Sequence, residues 1–129
     1  MVLIRNYKDG KPIISTTLFY KSKISNLDGL IDSGAGITTV SKKYLKKIGV
    51  DLAKPDTHID IKTADGNTYN APVYKITIEL DSAFLNLKNF PVACSENDYD
   101  YVALLIGMDI LNYTVLVLNG NSQNYIISI

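Results

Sequence analysis

The chain of 129 residues is poor in the side chains that most often build metal and redox sites: it has one cysteine, one histidine and no tryptophan. A single Cys94 excludes an internal disulfide and any multi-cysteine zinc site. His58 alone cannot supply the two- or three-histidine metal centres. Charge of one sign is lacking too, because 13 cations balance 13 anions, and nucleic acid calls for a surplus of cations. Arg5 is the sole arginine, so forked recognition of phosphate or guanine has little to work with. The longest uncharged apolar stretch, Tyr101 to Met108, is far shorter than the ~20 residues that span a bilayer. The start, MVLIRNYKDGK, lacks a signal-peptide core before Arg5 and Lys8 interrupt it. These absences predict a soluble, cytoplasmic domain, residues 1–129, with no metal, no cofactor, no nucleic acid and no membrane partner.

What is present reads mostly as β structure. Ile13–Tyr20, Ile59–Thr63, Val73–Leu80, Val115–Leu118 and Tyr125–Ile129 are short and rich in β-branched and aromatic residues. Phe90–Cys94 reads as a further strand that buries its cysteine. Tyr74, Ile76, Ile78 and Leu80 alternate with Lys75, Thr77 and Glu79, which gives period 2. Turns are signalled at Asp9-Gly10, Asp28-Gly29, Asp65-Gly66-Asn67 and Asn119-Gly120-Asn121. Two helices are predicted. One spans about Ser41 to Ile48, with Ser41 as N-cap and Gly49 as stop, its four lysines forming a solvated face. The other is a short turn over Met108–Asn112, with Asp109 in its first turn. The pattern implies an all-β domain: a compact, mostly antiparallel barrel or sandwich with one or two short helices.

The stretch Leu30-Ile31-Asp32-Ser33-Gly34-Ala35-Gly36-Ile37-Thr38-Thr39-Val40 carries the chemistry. An apolar strand delivers an acid and a hydroxyl into a glycine turn, and a second β-branched strand leaves it. A carboxylate between apolar segments costs several kcal/mol if buried unpaired, so its placement needs a reason. By itself Asp-Ser-Gly also suits an ordinary turn. The second signal is the run from Tyr101 to Gly107, an apolar strand ending in glycine, followed by Met108-Asp109-Ile110-Leu111.

Taken together, these segments resemble the retroviral-type aspartic proteases, the retropepsin-like family. The form Ile106-Gly107-Met108-Asp109-Ile110-Leu111 is more similar to non-viral members, in bacteria and in eukaryotic ubiquitin-linked proteins, than to the viral enzymes. Between the two motifs, Ile61 to Thr68 resembles the family's flap, with Ala64, Asp65, Gly66 and Asn67 at the tip of a hairpin that closes over substrate. The resemblance implies a single-lobe closed barrel active as a twofold homodimer, because one Asp-Ser-Gly and so short a chain leave the second catalytic aspartate to another copy. It implies Asp32 as the catalytic residue of an endopeptidase acting on peptide or protein substrates. Ser33 would hydrogen-bond across the dimer axis, Gly34 would let substrate approach the backbone, and Ala35 would keep the loop slim. Gly107 and Asp109 are structural supports, and the terminal strand Asn124–Ile129 is a candidate for the dimer interface.

Two adjacent carboxylates cannot both ionise cheaply, so the pair shares a proton, as is general for aspartic proteases. The ionised member takes a proton from water while the protonated member bonds the scissile carbonyl. Gly36-Ile37 stands where viral enzymes often carry acidic residues, which alters substrate contacts around the loop and not the acid itself. A different class of protein also fits: a binding or dimerisation module that keeps the fold without turnover. A Cys94–His58 nucleophile pair, a calcium loop and a phosphate-binding loop each lack the necessary spacing or partners.

Overall fold

The computed structural model describes residues 1–63, 65–96 and 103–129. Ten strands and two short helices follow in the order β1 (Val2–Asn6), β2 (Ile13–Tyr20), β3 (Lys23–Ile31), β4 (Thr39–Ser41), α1 (Lys42–Lys47), β5 (Thr57–Lys62), β6 (Thr68–Leu80), β7 (Leu85–Ser95), β8 (Leu104–Ile106), α2 (Met108–Leu111), β9 (Val115–Asn119) and β10 (Asn124–Ser128). Strands β2-β3-β8-β4-β7-β6 run side by side, and β6 pairs back onto β2 through Leu18↔Ile78. That last pairing closes a six-stranded barrel and leaves β5 outside it, as a hairpin arm on β6. Closure removes the exposed edges that an open sheet would present.

The alternation expected in β6 is the alternation observed. Tyr74, Ile76, Ile78 and Leu80 are buried, and Lys75 between them is exposed. With Leu18, Val92, Leu104 and Ile106 they fill the barrel, each large side chain contributing roughly 1.5–3 kcal/mol on leaving water. Most pairings are antiparallel, but β3–β8 and β4–β7 are parallel. β8 lies between β3 and β4, so the chain that leaves β3 must pass around the end of β8 to return as β4.

Several local expectations are revised. Asp28-Gly29 is no turn: both residues sit inside β3. Gly29 is there because a Cβ would come within 3.1 Å of Ile106 Cγ1 and of Thr16 Oγ1. The β2–β3 reversal instead uses Lys21-Ser22, with Lys21 at φ 52°. A second reversal, between β6 and β7, puts Asp81, Ser82 and Ala83 all at positive φ and drives Phe84 into the core. At α1, Gly49 stops the helix as expected: at φ +85° it donates to the Lys46 carbonyl, while Val50 donates to that of Leu45. Ser41 holds the N-cap position, but its side chain makes no capping bond, and its buried Oγ has no partner among the described residues.

The terminal strands form their own sheet, in the order β1-β10-β9. β10 is therefore not an edge strand, because both its neighbours belong to the same chain. One face of this sheet enters the core through Leu3, Leu116, Tyr125 and Ile127. Tyr125 donates its hydroxyl to the Ile13 carbonyl at 2.9 Å. Arg5 grips Asp81 with Nε at 2.8 Å and Nη2 at 3.3 Å, tying β1 to the barrel.

Burial pushes the Tyr125 phenol up to about 12, above its ordinary 10.0. The folded state then holds a proton that the unfolded state releases, so the stability gained is complete below pH 10 and is lost as pH rises toward 12. Urea midpoints measured along an alkaline series should fall across that window in the wild type, and Tyr125→Phe should fall less. A second outcome follows from the idle hydroxyl of Ser41. Ser41→Ala should melt no lower than wild type, whereas a capping serine would lose about 1 kcal/mol on that change.

Candidate active site

The loop that carries Asp32 is the passage around the end of β8. The Asp32 N–H donates to the Ile106 carbonyl at 3.0 Å, continuing the parallel ladder by one residue. The chain then turns, with Ala35 N–H donating to the Asp32 carbonyl and Gly34 N–H donating to Asp32 Oδ1 at 3.0 Å. Asp and Gly suit such an Asx turn because the short carboxylate reaches the backbone two residues on. Asp32 is half-buried, Ser33 and Gly34 are exposed, and Ala35 is half-buried. Gly34 N–H is the donor to the Asp32 carboxylate among the described residues. The remaining lone pairs of that carboxylate have no protein donor there.

Residues 106–109 hold the other side of the loop. Met108 N–H donates to the Ala35 carbonyl at 2.7 Å and Asp109 N–H to that of Gly36 at 3.2 Å. A Cβ on Gly107 would lie 2.7 Å from the Ile37 carbonyl carbon and 2.9 Å from the Ala35 oxygen. Those are backbone atoms, so no side chain fits. The fastening continues through Thr38, which is fully buried. Its N–H faces both Asp109 oxygens at 3.0 Å, its hydroxyl donates to Asp109 Oδ1 at 2.6 Å, and the same hydroxyl accepts Gly107 N–H at 3.1 Å. Asp109 also accepts from Ile110 N–H at 2.9 Å, so the helix-start position expected of it is real. Its larger task, binding the loop through Thr38, is invisible to spacing, and Thr38 carries no sequence signal beyond its place in the motif.

β5 and β6 pair as an antiparallel hairpin from Thr57↔Val73 to Lys62↔Thr68. Thr63 N–H donates to the Asn67 carbonyl at 2.8 Å, and Gly66 sits at φ +88°. Asp65 holds the tip together, accepting from the Thr63 hydroxyl, from Asn67 N–H at 3.0 Å and from Asn67 Nδ2 at 3.0 Å. The Thr63 hydroxyl, ahead of the backbone of Asn67, holds the Asp65 carboxyl below its ordinary value. Ala64 lies outside the described residues, as do Tyr101 and Val102 at the start of the apolar strand. A cleft of about 350 Å³ is lined by Thr63, Tyr69, Asn70 and Pro72 of the hairpin and by Cys94, Ser95 and Glu96 at the end of β7. Cys94 is buried, and burial pushes its thiol up, while His58 is exposed on β5. Among the described residues no three His, Cys, Asp or Glu side chains converge as a metal site would need.

Comparison with known proteins agrees with this geometry. The family described as "gag-polyprotein putative aspartyl protease" matches residues 24–113, which include both motifs and the hairpin. The fold is similar to the crystal structure of a retropepsin-like aspartic protease from Rickettsia conorii, with TM-score 0.70, 21% identity and 98% of each chain covered. It is also similar to the retroviral protease-like domain of Ddi1 from Leishmania major, with TM-score 0.57 and 15% identity over 87% of this chain and 83% of that one. No curated protein sequence matches the chain.

Gly107→Ala should be the most damaging single-methyl change in this region. The added carbon meets backbone that cannot step aside without moving the Asp32 loop, a cost of about 1–3 kcal/mol or more. Urea unfolding of the two proteins measures it, and an unchanged midpoint would contradict the packing described.

Proposed function

The chain belongs to the gag-polyprotein aspartyl protease family, and we propose that it is an aspartic endopeptidase whose active site is completed by a second copy. The observation that supports this most directly is Asp32 itself: a half-buried carboxylate, following the apolar pair Leu30-Ile31 that ends β3, engaged among the described residues by the N–H of Gly34. Such a group has free lone pairs with which to bind a water and take its proton. Residues 1–129 act as one protease domain, and one Asp-Ser-Gly per chain requires a twofold pair.

Two Asp32 carboxyls across that axis share one proton. The ionised one draws a proton from the water between them, the water attacks the scissile carbonyl, and the protonated one bonds the carbonyl oxygen as charge develops there. The proton then passes to the leaving amine, so no covalent intermediate forms. Ser33, exposed beside the axis, would supply the hydroxyl that ties the two loops. Ala64 to Asn67 would cover the bound peptide. The outward face of the terminal sheet favours a second copy as partner: Val2, Ile4, Val115 and Val117 are 48–65% exposed, with half-buried Ile126 between them and no charge on that face.

Cleavage of a diverse peptide library at several pH values, read by mass spectrometry, tests the proposal. Wild type should cut and Asp32→Asn should not, with both dimeric by sedimentation. Equal cleavage by the mutant would sink the assignment. Silence from both dimers would leave a binding module with the protease fold.

A further inference from the structure

We infer that Thr38 and Asp109 are positioning residues for Asp32, setting its reactivity through the loop they fasten; the inference rests on Asp32 being the catalytic acid. Backbone contacts alone hold the near half of the loop, where Asp32, Ala35 and Gly36 meet Ile106, Met108 and Asp109. The far half depends on side chains. Thr38 donates through N–H and hydroxyl to one carboxylate and accepts Gly107 N–H with the same hydroxyl. Thr38 also offers its carbonyl to Ala93 N–H on β7 at 3.1 Å, so the loop is anchored to the barrel wall at this residue.

The consequence follows from the fit at Gly107. Its would-be Cβ is in collision distance of Ile37 and Ala35, so the loop rests directly on the Gly107 backbone. Removing the Thr38 hydroxyl orphans a buried Gly107 N–H, whose natural relief is to tilt that peptide toward another acceptor. Any such tilt moves Ile37 and Ala35, and with Ala35 the turn that presents Asp32 Oδ1 to Gly34. A displacement of about 1 Å at a reacting group can cost on the order of a hundredfold in rate. Substrate contacts elsewhere are left alone, so the loss belongs in kcat rather than KM.

Thr38→Val and Thr38→Ser, assayed against one cleaved peptide and normalised to folded dimer, separate the two terms. Thr38→Val should lose on the order of tenfold or more in kcat with KM little changed, and Thr38→Ser, which keeps the hydroxyl, should recover most of it. Equal kcat per folded dimer in Thr38→Val would overturn the inference, since a role in stability alone changes only the folded fraction. If Thr38→Val does not fold, Asp109→Asn decides. It keeps Oδ1 and removes one of the two oxygens that face Thr38 N–H, so a lower kcat at constant KM supports the inference and an unchanged kcat refutes it. The amide resonances of Asp32 and Gly34 provide a readout without turnover. They should shift in Thr38→Val and stay in Thr38→Ser, and if they stay in both, the loop is not set from Thr38. Wild type that cleaves nothing removes the proposed function, and these resonances then judge the positioning on their own.

Discussion

No atom can be added to Gly107, and much of the site is arranged around that fact. β8 lies between β3 and β4, so the connection from one to the other has to pass over the end of β8, where Gly107 lies. A barrel closed this tightly leaves the crossing chain in backbone-to-backbone contact, and only glycine permits it. The acid therefore sits where it does because the topology forces an irregular segment at that place. Irregular backbone brings unpaired N–H and C=O groups, and residues 106–109 answer them one by one.

Asp32 and Asp109 sit close in this network with opposite surroundings. The carboxylate of Asp109 takes three donors, the N–H and hydroxyl of Thr38 and the N–H of Ile110. That of Asp32 takes the N–H of Gly34 and keeps lone pairs in reserve. Identical side chains thus divide into a fastener and a group open to solvent. Donor supply separates them.

Legibility in the sequence follows how local each determinant is. The alternation of Tyr74, Ile76, Ile78 and Leu80 reads directly, because a strand half in a core writes its period into its own residues. Asp32-Ser33-Gly34 and Gly107 read as a motif by their order and spacing, and Gly107 adds a steric need that only glycine meets. Gly29 misleads for the same reason that Gly107 informs. Both are glycines of close approach, but Asp28 before Gly29 imitates a turn, and its true cause, Ile106 and Thr16, lies far off in sequence. The reversal at Lys21-Ser22 lacks glycine and asparagine altogether. β1 passes unnoticed as five residues whose partner, β10, comes at the other end of the chain. Thr38 is the most telling case, for its bonds reach 69 and 71 residues ahead and nothing nearby announces them.

β10 has a neighbour on either side within its own chain. Each copy thereby completes its terminal sheet alone, anchored by Tyr125 and by Arg5 on Asp81. Folding and the proposed pairing would then be separate equilibria. On the proposed pairing, an active site shared between copies would form only as protein accumulates, while the barrel and its terminal sheet are complete within one chain. Below the dissociation constant of the pair, dimer grows as the square of monomer, so the abundance of the chain would itself serve as the threshold for its chemistry.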